Sequence, residues 1–180
     1  MQGMFTFLFR GSEEELTRLD AYLHSEQAAA SRWISEEFRQ LWEEQAGLSP
    51  ASPYAGGTAE LALCQEDSGS LYGVTDIADE LMKAVPQVGM LLEIRYLDDE
   101  YGSSYSYSYP GSADVEEFDL DTDTILALRG ELEDEDEEFE DEEDEEFSPQ
   151  AQFQQFQDFL EAFGDVSEYI EVFDPYDWDE

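Results

Sequence analysis

Residues 4–9 read MFTFLF, and this stretch decides how the first half of the chain is expected to fold. Alternation places Phe5, Phe7 and Phe9 on one face, which predicts a strand buried on that face. Ser12 follows with Glu15 three residues later, a capping box that predicts a helix running to about residue 25. The chain is therefore predicted to begin with an aromatic strand that is followed directly by a capped helix.

The elements that follow alternate between helix and strand. A second helix is predicted from about residue 31 to 45, and residues 58–65 alternate weakly as a second strand. Asp76 is the expected N-cap of a third helix, which proline stops before the strongest strand, residues 90–97. An acidic turn then leads into residues 105–109, where tyrosines on one face and serines on the other predict the second arm of a half-exposed hairpin.

A further strand is predicted over residues 118–128. Its alternation places Asp119, Asp121 and Asp123 on one face, about 6.6 Å apart along the strand. These three carboxylates are the most regular acidic row in the chain.

The last part of the chain is predicted to be ordered. Ser148 and Pro149 form an N-cap and first-turn pair, and an apolar stripe runs from there to Gly164, which predicts a helix. A final strand is expected over residues 168–173. The sequence thus divides into an α+β domain, an acidic tract and a C-terminal helix and strand, at residues 1–128, 129–147 and 148–180, and packing of the last segment on the first domain is left open.

The order of elements predicts an α+β protein with a split βαβ sheet and helices on one face, extended by the acidic C-terminal helix–strand segment. Two stretches carry a resemblance to a known family: residues 5–11 before the capped helix, and residues 81–86 leading to residues 92–100. They resemble the ferredoxin-like domain of small phage and plasmid proteins. The resemblance covers residues 3–110 and implies an origin in a mobile element.

Charge is the dominant chemical property of the chain, whose 48 acids and seven Lys and Arg residues give a formal net charge of -41. Residues 131–146 contain fourteen acids, but residues 1–130 alone carry 25 acids against the seven bases. Such a charge repels nucleic acid and membrane surfaces and attracts basic partners. Because 14% of the residues are aromatic, general disorder is not expected and the chain is interpreted as a globular acidic protein.

Residues suited to catalysis or metal binding are scarce. His24 is the only histidine and is expected to cap a helix, and Cys64 is the only cysteine and is expected to be a small core residue. The row beginning at Asp119 has the opening spacing of a calcium loop, but Thr124 stands where glycine is needed and Gly130 where glutamate is needed. No enzyme activity, cofactor or metal is therefore predicted.

The sequence also bears on location. No leader-like segment precedes an apolar stretch, and no apolar run approaches the roughly 20 residues that a membrane span needs. An intracellular protein is expected, in the cytoplasm of a bacterial host, with no membrane partner.

By composition and size the chain resembles the DNA-mimic inhibitors that phages use against restriction and CRISPR enzymes. The resemblance implies a non-enzymatic inhibitor that occupies the basic groove of a nucleic-acid-binding protein or ribonucleoprotein and binds no nucleic acid itself. The candidate partner-binding residues are the acidic turn, the strand row and the tract: Asp98, Asp99, Glu100, Asp119, Asp121, Asp123, Glu133, Asp134, Glu135, Asp136, Glu137, Glu138, Glu140, Asp141, Glu142, Glu143, Asp144, Glu145 and Glu146.

Three alternatives stay open. An acidic run is often only a solvating linker, so the chain could be an acidic chaperone or sequestering protein for basic, histone-like partners. It could be a halophilic or merely soluble protein, although neither explains fourteen acids in sixteen residues. An enzyme with carboxylate chemistry is the third.

Overall fold

A computed structural model describes residues 3–45, 59–68, 73–96, 102–131 and 148–177. These ranges contain five strands and six helices. In chain order they are β1 (Gly3–Gly11), α1 (Glu13–Leu23), α2 (Glu26–Ala29), α3 (Glu36–Gln45), β2 (Ala59–Ser68), α4 (Val74–Ala84), β3 (Gly89–Tyr96), β4 (Gly102–Ser108), β5 (Glu116–Asp121), α5 (Thr122–Arg129) and α6 (Pro149–Phe163).

The five strands form one sheet in the order β2-β1-β3-β4-β5, and all neighbours are antiparallel. Because β2 and β3 both run antiparallel to β1, they are parallel to each other, with β1 between them. Helix α4 connects these two strands, so β2–α4–β3 is a split βαβ unit. The α+β class predicted from the sequence is confirmed.

One face of the sheet, here called face A, carries the phenylalanines of the opening strand. Phe5, Phe7 and Phe9 pack in one core with the apolar sides of α1, α3 and α4. The aromatic contacts are close: the ring centroids of Phe7 and Phe38 lie 5.8 Å apart, and those of Phe9 and Trp42 lie 5.7 Å apart. The capping box predicted at Ser12 and Glu15 is present and starts α1.

The opposite face, here called face B, is covered by the C-terminal part of the chain. Tyr105, Tyr107 and Phe118 of the sheet are buried against the phenylalanines of α6 in a second core. The Tyr105 and Phe156 ring centroids are 4.7 Å apart, and aromatic pairs of this kind contribute about 0.5–1.5 kcal/mol beyond their burial. Helices therefore lie on both faces, whereas the sequence predicted one helical face.

The hairpin tyrosines also differ from expectation. The strand was predicted to be half-exposed, yet Tyr105 and Tyr107 are fully buried and Ser106 on the other side is buried as well. The reason is the second helical layer: α6 covers the tyrosine side, while the serines lie on face A beside Leu92 and Ile94 of β3.

Two helix starts differ from the predictions. The helix predicted from about residue 31 to 45 begins five residues later, at Glu36 of α3, and is preceded by the short unpredicted helix α2, with residues 30–35 between them in non-helical turns. Helix α4 begins after Gly73, not at Asp76, because Gly73 adopts a positive φ of 85°. A Cβ at Gly73 would also approach the Trp33 ring to 3.1 Å, so the position favours glycine both sterically and conformationally.

The predicted strand over residues 118–128 is half strand and half helix. Strand β5 ends at Asp121, whose side chain accepts a hydrogen bond from the Thr124 backbone N–H at 2.8 Å and so caps α5. The final strand predicted over residues 168–173 is absent. There the Val166 carbonyl accepts hydrogen bonds from the N–H groups of Tyr169 and Ile170, which forms a turn that still buries Val166 and Ile170 on face B.

Helix α6 matches its prediction, and an arginine of the sheet holds its end. The helix has Ser148 as its N-cap and ends at Gly164. The Arg10 side chain of β1 donates hydrogen bonds to the carbonyls of Phe163 and Asp165, the second at 2.5 Å, and its guanidinium lies 4.6 Å from the Phe163 ring centroid. A cation at this end also complements the helix dipole.

A second arginine joins the sheet to the C-terminal coil. Arg95 of β3 contacts the Glu93 carboxylate at 2.9 Å and donates to the Glu171 carbonyl at 2.7 Å. Glu93 is 1% exposed, and burial raises its pKa while the Arg95 guanidinium opposes that rise. The same burial, together with nearby Glu93, raises the pKa of Tyr105 to about 12. Among the described residues of face B, Glu93 is thus the buried carboxylate, and Arg95 is the cation that compensates its charge.

Replacing Arg95 by methionine should lower the free energy of unfolding by about 3 kcal/mol, because Glu93 is left buried without its counter-ion. Replacing both Glu93 and Arg95 by methionine should recover most of that loss, since no buried charge then remains. Urea denaturation of the three proteins measures the cycle, and a double variant no more stable than the single one would contradict it.

The pH dependence of the free energy of unfolding provides a control for the role of Glu93. Since the folded-state pKa of Glu93 is raised above 4.5, its contribution to stability is fully present below that pH and is lost as pH rises through the folded-state pKa. The wild-type chain should therefore lose stability relative to the Glu93→Gln variant as the pH is raised above 4.5, and urea denaturation of both proteins across a pH series measures this.

Candidate functional site

The exposed carboxylates of β5 form a regular row along one edge of the sheet. Glu117, Asp119 and Asp121 are exposed, while the alternating Phe118 and Leu120 are buried on face B. Their register partners on β4 show that the three acids lie on face A. Consecutive members of the row are about 6.8 Å apart along the strand.

This row differs by one residue from the predicted one. Asp123 does not belong to it, because the chain turns into α5 after Asp121 and places Asp123 in the first helical turn. Glu117 takes the third place. The sequence signal for Glu117 was present, because the same period-2 alternation extends back from Asp119, but the predicted strand began one residue too late to include it.

The three predicted aspartates nevertheless meet at one open groove. Asp119 and Asp121 reach it from the end of β5 and Asp123 reaches it from the start of α5, and Tyr96 and Ser103 line the same groove, which has a volume of about 470 Å³. Burial, with the Asp119 carboxylate nearby, raises the pKa of Tyr96. The groove is therefore negative on the side formed by β5 and α5, and carries a phenol on the side formed by β3.

Asp121 has a structural role as well as an exposed position. Its carboxylate caps α5, and the negative charge of Asp123 in the first turn also complements the helix dipole. Asp119 makes no such contact with a helix start in the described structure. Of the three carboxylates, Asp119 is therefore the one that does not contribute to the start of α5.

Six of the seven basic side chains have contacts elsewhere in the described structure. Arg18 pairs with Glu14, Lys83 with Asp79 and Arg129 with Glu131, at 2.5, 3.6 and 2.9 Å. Arg32 lies over Trp33 with its guanidinium 4.4 Å from the ring centroid, and Arg10 and Arg95 are bound on face B. These contacts are made with groups other than the carboxylates of the β5 row.

Most of the predicted acidic residues lie outside the described part of the chain. The turn residues fall between the end of β3 and the start of β4, and the tract falls between α5 and α6. Those outside are Asp98, Asp99, Glu100, Glu133, Asp134, Glu135, Asp136, Glu137, Glu138, Glu140, Asp141, Glu142, Glu143, Asp144, Glu145 and Glu146. The structure therefore locates only Asp119, Asp121 and Asp123 of the candidate set.

The remaining candidate residues have ordinary surroundings. His24 is the C-cap of α1, as predicted, and its ring lies 3.5 Å from Asp20 and 3.4 Å from Glu43. A hydrogen bond to the Asp20 backbone raises the pKa of His24, with the two carboxylates adding to the rise. Cys64 is on β2 opposite Thr6, and its side chain lies outside the description.

In residues 3–45, 59–68, 73–96, 102–131 and 148–177, no three His, Cys, Asp or Glu side chains are grouped so that they could hold a metal ion. In the same ranges, no helix is both long enough and apolar enough to cross a membrane.

Comparisons of the chain with protein-family models, with curated proteins and with solved structures return no match.

The capping role of Asp121 can be tested separately from its place in the exposed β5 row. Asp121→Ala should lower the free energy of unfolding by about 1 kcal/mol, because the Thr124 N–H loses its cap, whereas Asp121→Asn should cost only a few tenths. Asp119→Ala is the matched control and should have almost no effect, since Asp119 is exposed and does not cap the helix. Equal stability of the Asp121→Ala and Asp121→Asn variants in urea denaturation would show that the cap contributes nothing.

Proposed function

We propose that the protein is a non-enzymatic inhibitor that mimics nucleic acid and occupies the basic groove of a nucleic-acid-binding protein or ribonucleoprotein. The observation that carries the proposal is the β5 row. Its three carboxylates are spaced by a hydrogen-bonded strand backbone instead of by a flexible chain, and Asp123 adds a fourth charge at the same end of the sheet.

The spacing of the row suits a groove built for a phosphate backbone. Successive phosphates of one DNA strand advance about 3.4 Å along the helix axis, so every second phosphate advances about 6.8 Å. Alternate residues of a strand have about the same repeat. A Lys and Arg groove that binds phosphates at this interval would meet carboxylates at similar positions.

The remaining charge of the protein supports the same proposal. Residues 1–130 carry 18 more acids than bases, so the excess is not confined to the tract. A field of this sign steers basic partners and repels nucleic acid. Direct nucleic-acid binding is therefore not part of the proposal, and neither is an enzymatic activity.

The proposal includes an origin and a location. The ferredoxin-like resemblance of residues 3–110 implies a phage or plasmid source, and the β2–α4–β3 unit around β1 is the part of the sheet that suits it. The target would then be a defence nuclease or a restriction or CRISPR complex in the cytoplasm of a bacterial host.

A second candidate is an acidic chaperone or sequestering protein for basic partners. The observation in its favour is the tract of fourteen acids in residues 131–146, which would bind cations by charge density alone. The two candidates differ in whether the geometry of the acids matters.

Competition with nucleic acid tests the proposal. A partner captured from bacterial lysate with the immobilised protein should release it when duplex DNA or the partner's own guide RNA is added, since both ligands need the same groove. Gel filtration of the three components together measures this. A stable ternary complex of partner, nucleic acid and this protein would contradict mimicry.

A charge-matched pair of variants tests the row. Asp119→Asn, Asp121→Asn and Asp123→Asn combined should weaken association with the partner by tenfold or more, as about 1.4 kcal/mol of lost interaction is tenfold. The control combines Glu37→Gln, Glu44→Gln and Glu161→Gln, which removes the same charge from exposed positions on α3 and α6. Equal weakening by both variants would favour the chaperone, because only net charge would then matter.

A further inference from the structure

The outer edge of β5 is the feature that the proposed function leaves unused. In the described sheet β5 is the last strand and pairs only with β4. A terminal strand has backbone N–H and C=O groups without a strand partner along its outer edge, and such an edge is a template for another chain. Strand β5 is six residues long, which is the length of an ordinary strand pairing.

The two sides of this edge differ sharply in chemistry. On face A the side chains next to the edge are the carboxylates of Glu117, Asp119 and Asp121. On face B they are the buried Phe118 and Leu120, together with the half-buried Glu116, whose carboxylate accepts a hydrogen bond from Gln155 of α6. A strand added here would therefore place alternate side chains in an acidic environment and the others beside an apolar one.

Face B also has an exposed aromatic residue near this edge. Phe118 packs on Phe153 with ring centroids 5.7 Å apart, and Phe153 packs on Tyr176 at 6.4 Å. Tyr176 is 60% exposed, one of two large exposed apolar side chains in the described residues. Tyrosine is enriched at protein interfaces, where it contributes a large rigid contact area.

We infer that the β5 edge accepts an extended basic segment of the partner as a sixth strand, with alternating basic and apolar side chains. The basic side chains lie opposite Glu117, Asp119 and Asp121, and the apolar ones lie on the side of Phe118 and Tyr176. The inference rests on the proposed function only for the basic character of the partner, and it adds the conformation and sequence pattern of the bound segment.

The pairing geometry explains the pattern. Directly opposed residues on neighbouring strands have Cβ atoms about 4.5–5.5 Å apart, within reach of a Lys–carboxylate or Arg–carboxylate pair. Both strands repeat every two residues at about 6.8 Å, so the charge match is kept along the whole edge. Main-chain hydrogen bonds supply affinity in this mode, and the alternating side chains supply specificity.

Self-pairing at the same edge is disfavoured. Two copies of β5 side by side would bring the acids of one row close to those of the other, and like charges directly opposite each other are destabilising. With a formal net charge of -41 the whole molecules repel one another as well. The acids thus exclude a second copy and select a cationic strand.

Two synthetic peptides of identical composition test this on the full chain. One alternates lysine and valine over six residues, and the other places three lysines before three valines. The alternating peptide should bind about tenfold more tightly in calorimetry at low salt, because only it satisfies both sides of the edge. Methylating the backbone nitrogens that point toward β5 should abolish this advantage. Equal affinity of the two peptides would overturn the inference.

Amide hydrogen exchange identifies the position. Binding of the alternating peptide should slow exchange within residues 116–121, and protection confined to other elements would overturn the inference. Slower exchange of the same amides on raising the protein concentration without peptide would assign the edge to a second copy and overturn it too.

A matched pair of tyrosine variants tests the apolar side. Tyr176→Ser should weaken binding of the alternating peptide by about fivefold, as expected for loss of an interfacial aromatic. Tyr169→Ser, at the other large exposed apolar side chain, should leave it unchanged. Equal effects of both variants, or none from Tyr176→Ser, would remove the apolar side of the proposed site.

The peptide experiments and the nucleic-acid competition experiment can succeed or fail independently of each other. Exclusion of nucleic acid together with equal affinity for both peptides would mean mimicry by the exposed row without strand addition. Edge protection by the alternating peptide together with a stable ternary complex would mean strand addition without mimicry.

Discussion

The rest of the structure depends on the attachment of the C-terminal segment to face B. Without α6 and the coil that follows it, the tyrosines of β4 and Phe118 of β5 would lie open to water on one side of the sheet. Aromatic stacking supplies the contact area, while Arg10 holds the C-terminal end of α6 and Arg95 holds the coil that follows it. Both arginines donate to backbone carbonyls of the segment, which ties it down without using the carboxylates that it carries.

This arrangement explains how so negative a chain can be folded. Repulsion between surface acids destabilises the compact state, and few cations are available to offset it. The described residues contain only one buried carboxylate, Glu93, and its counter-ion is two residues away on the same strand. The aromatic content, unusual for so charged a sequence, builds two cores, one on each face of a single sheet. Stability is thus supplied by ring packing while the surface remains free to be acidic.

Elements with strong local signals were predictable from the sequence. The aromatic strand at residues 4–9, the capping box at Ser12 and the helix that starts at Ser148 all have local causes, and all are present. The second helical layer was not predictable, because which segment covers a sheet face depends on contacts between residues far apart in the chain. The same limit affected Asp121, since strand alternation and helix capping are both consistent with the aspartates around it, and the cap prevailed.

The hydrogen bond between α5 and α6 has a consequence for the acidic tract between them. Gln150 of α6 donates to the Ala127 carbonyl of α5 at 2.8 Å, so the two helices that precede and follow the tract in the sequence are held together. The acidic residues that separate α5 from α6 in the sequence are therefore covalently joined to two helices that contact each other. A cationic partner held nearby would meet these carboxylates at a high effective concentration, in the way that a linked second ligand is met. The covalent link between the tract and the folded helices would then be enough to keep a weakly attracted partner near the protein.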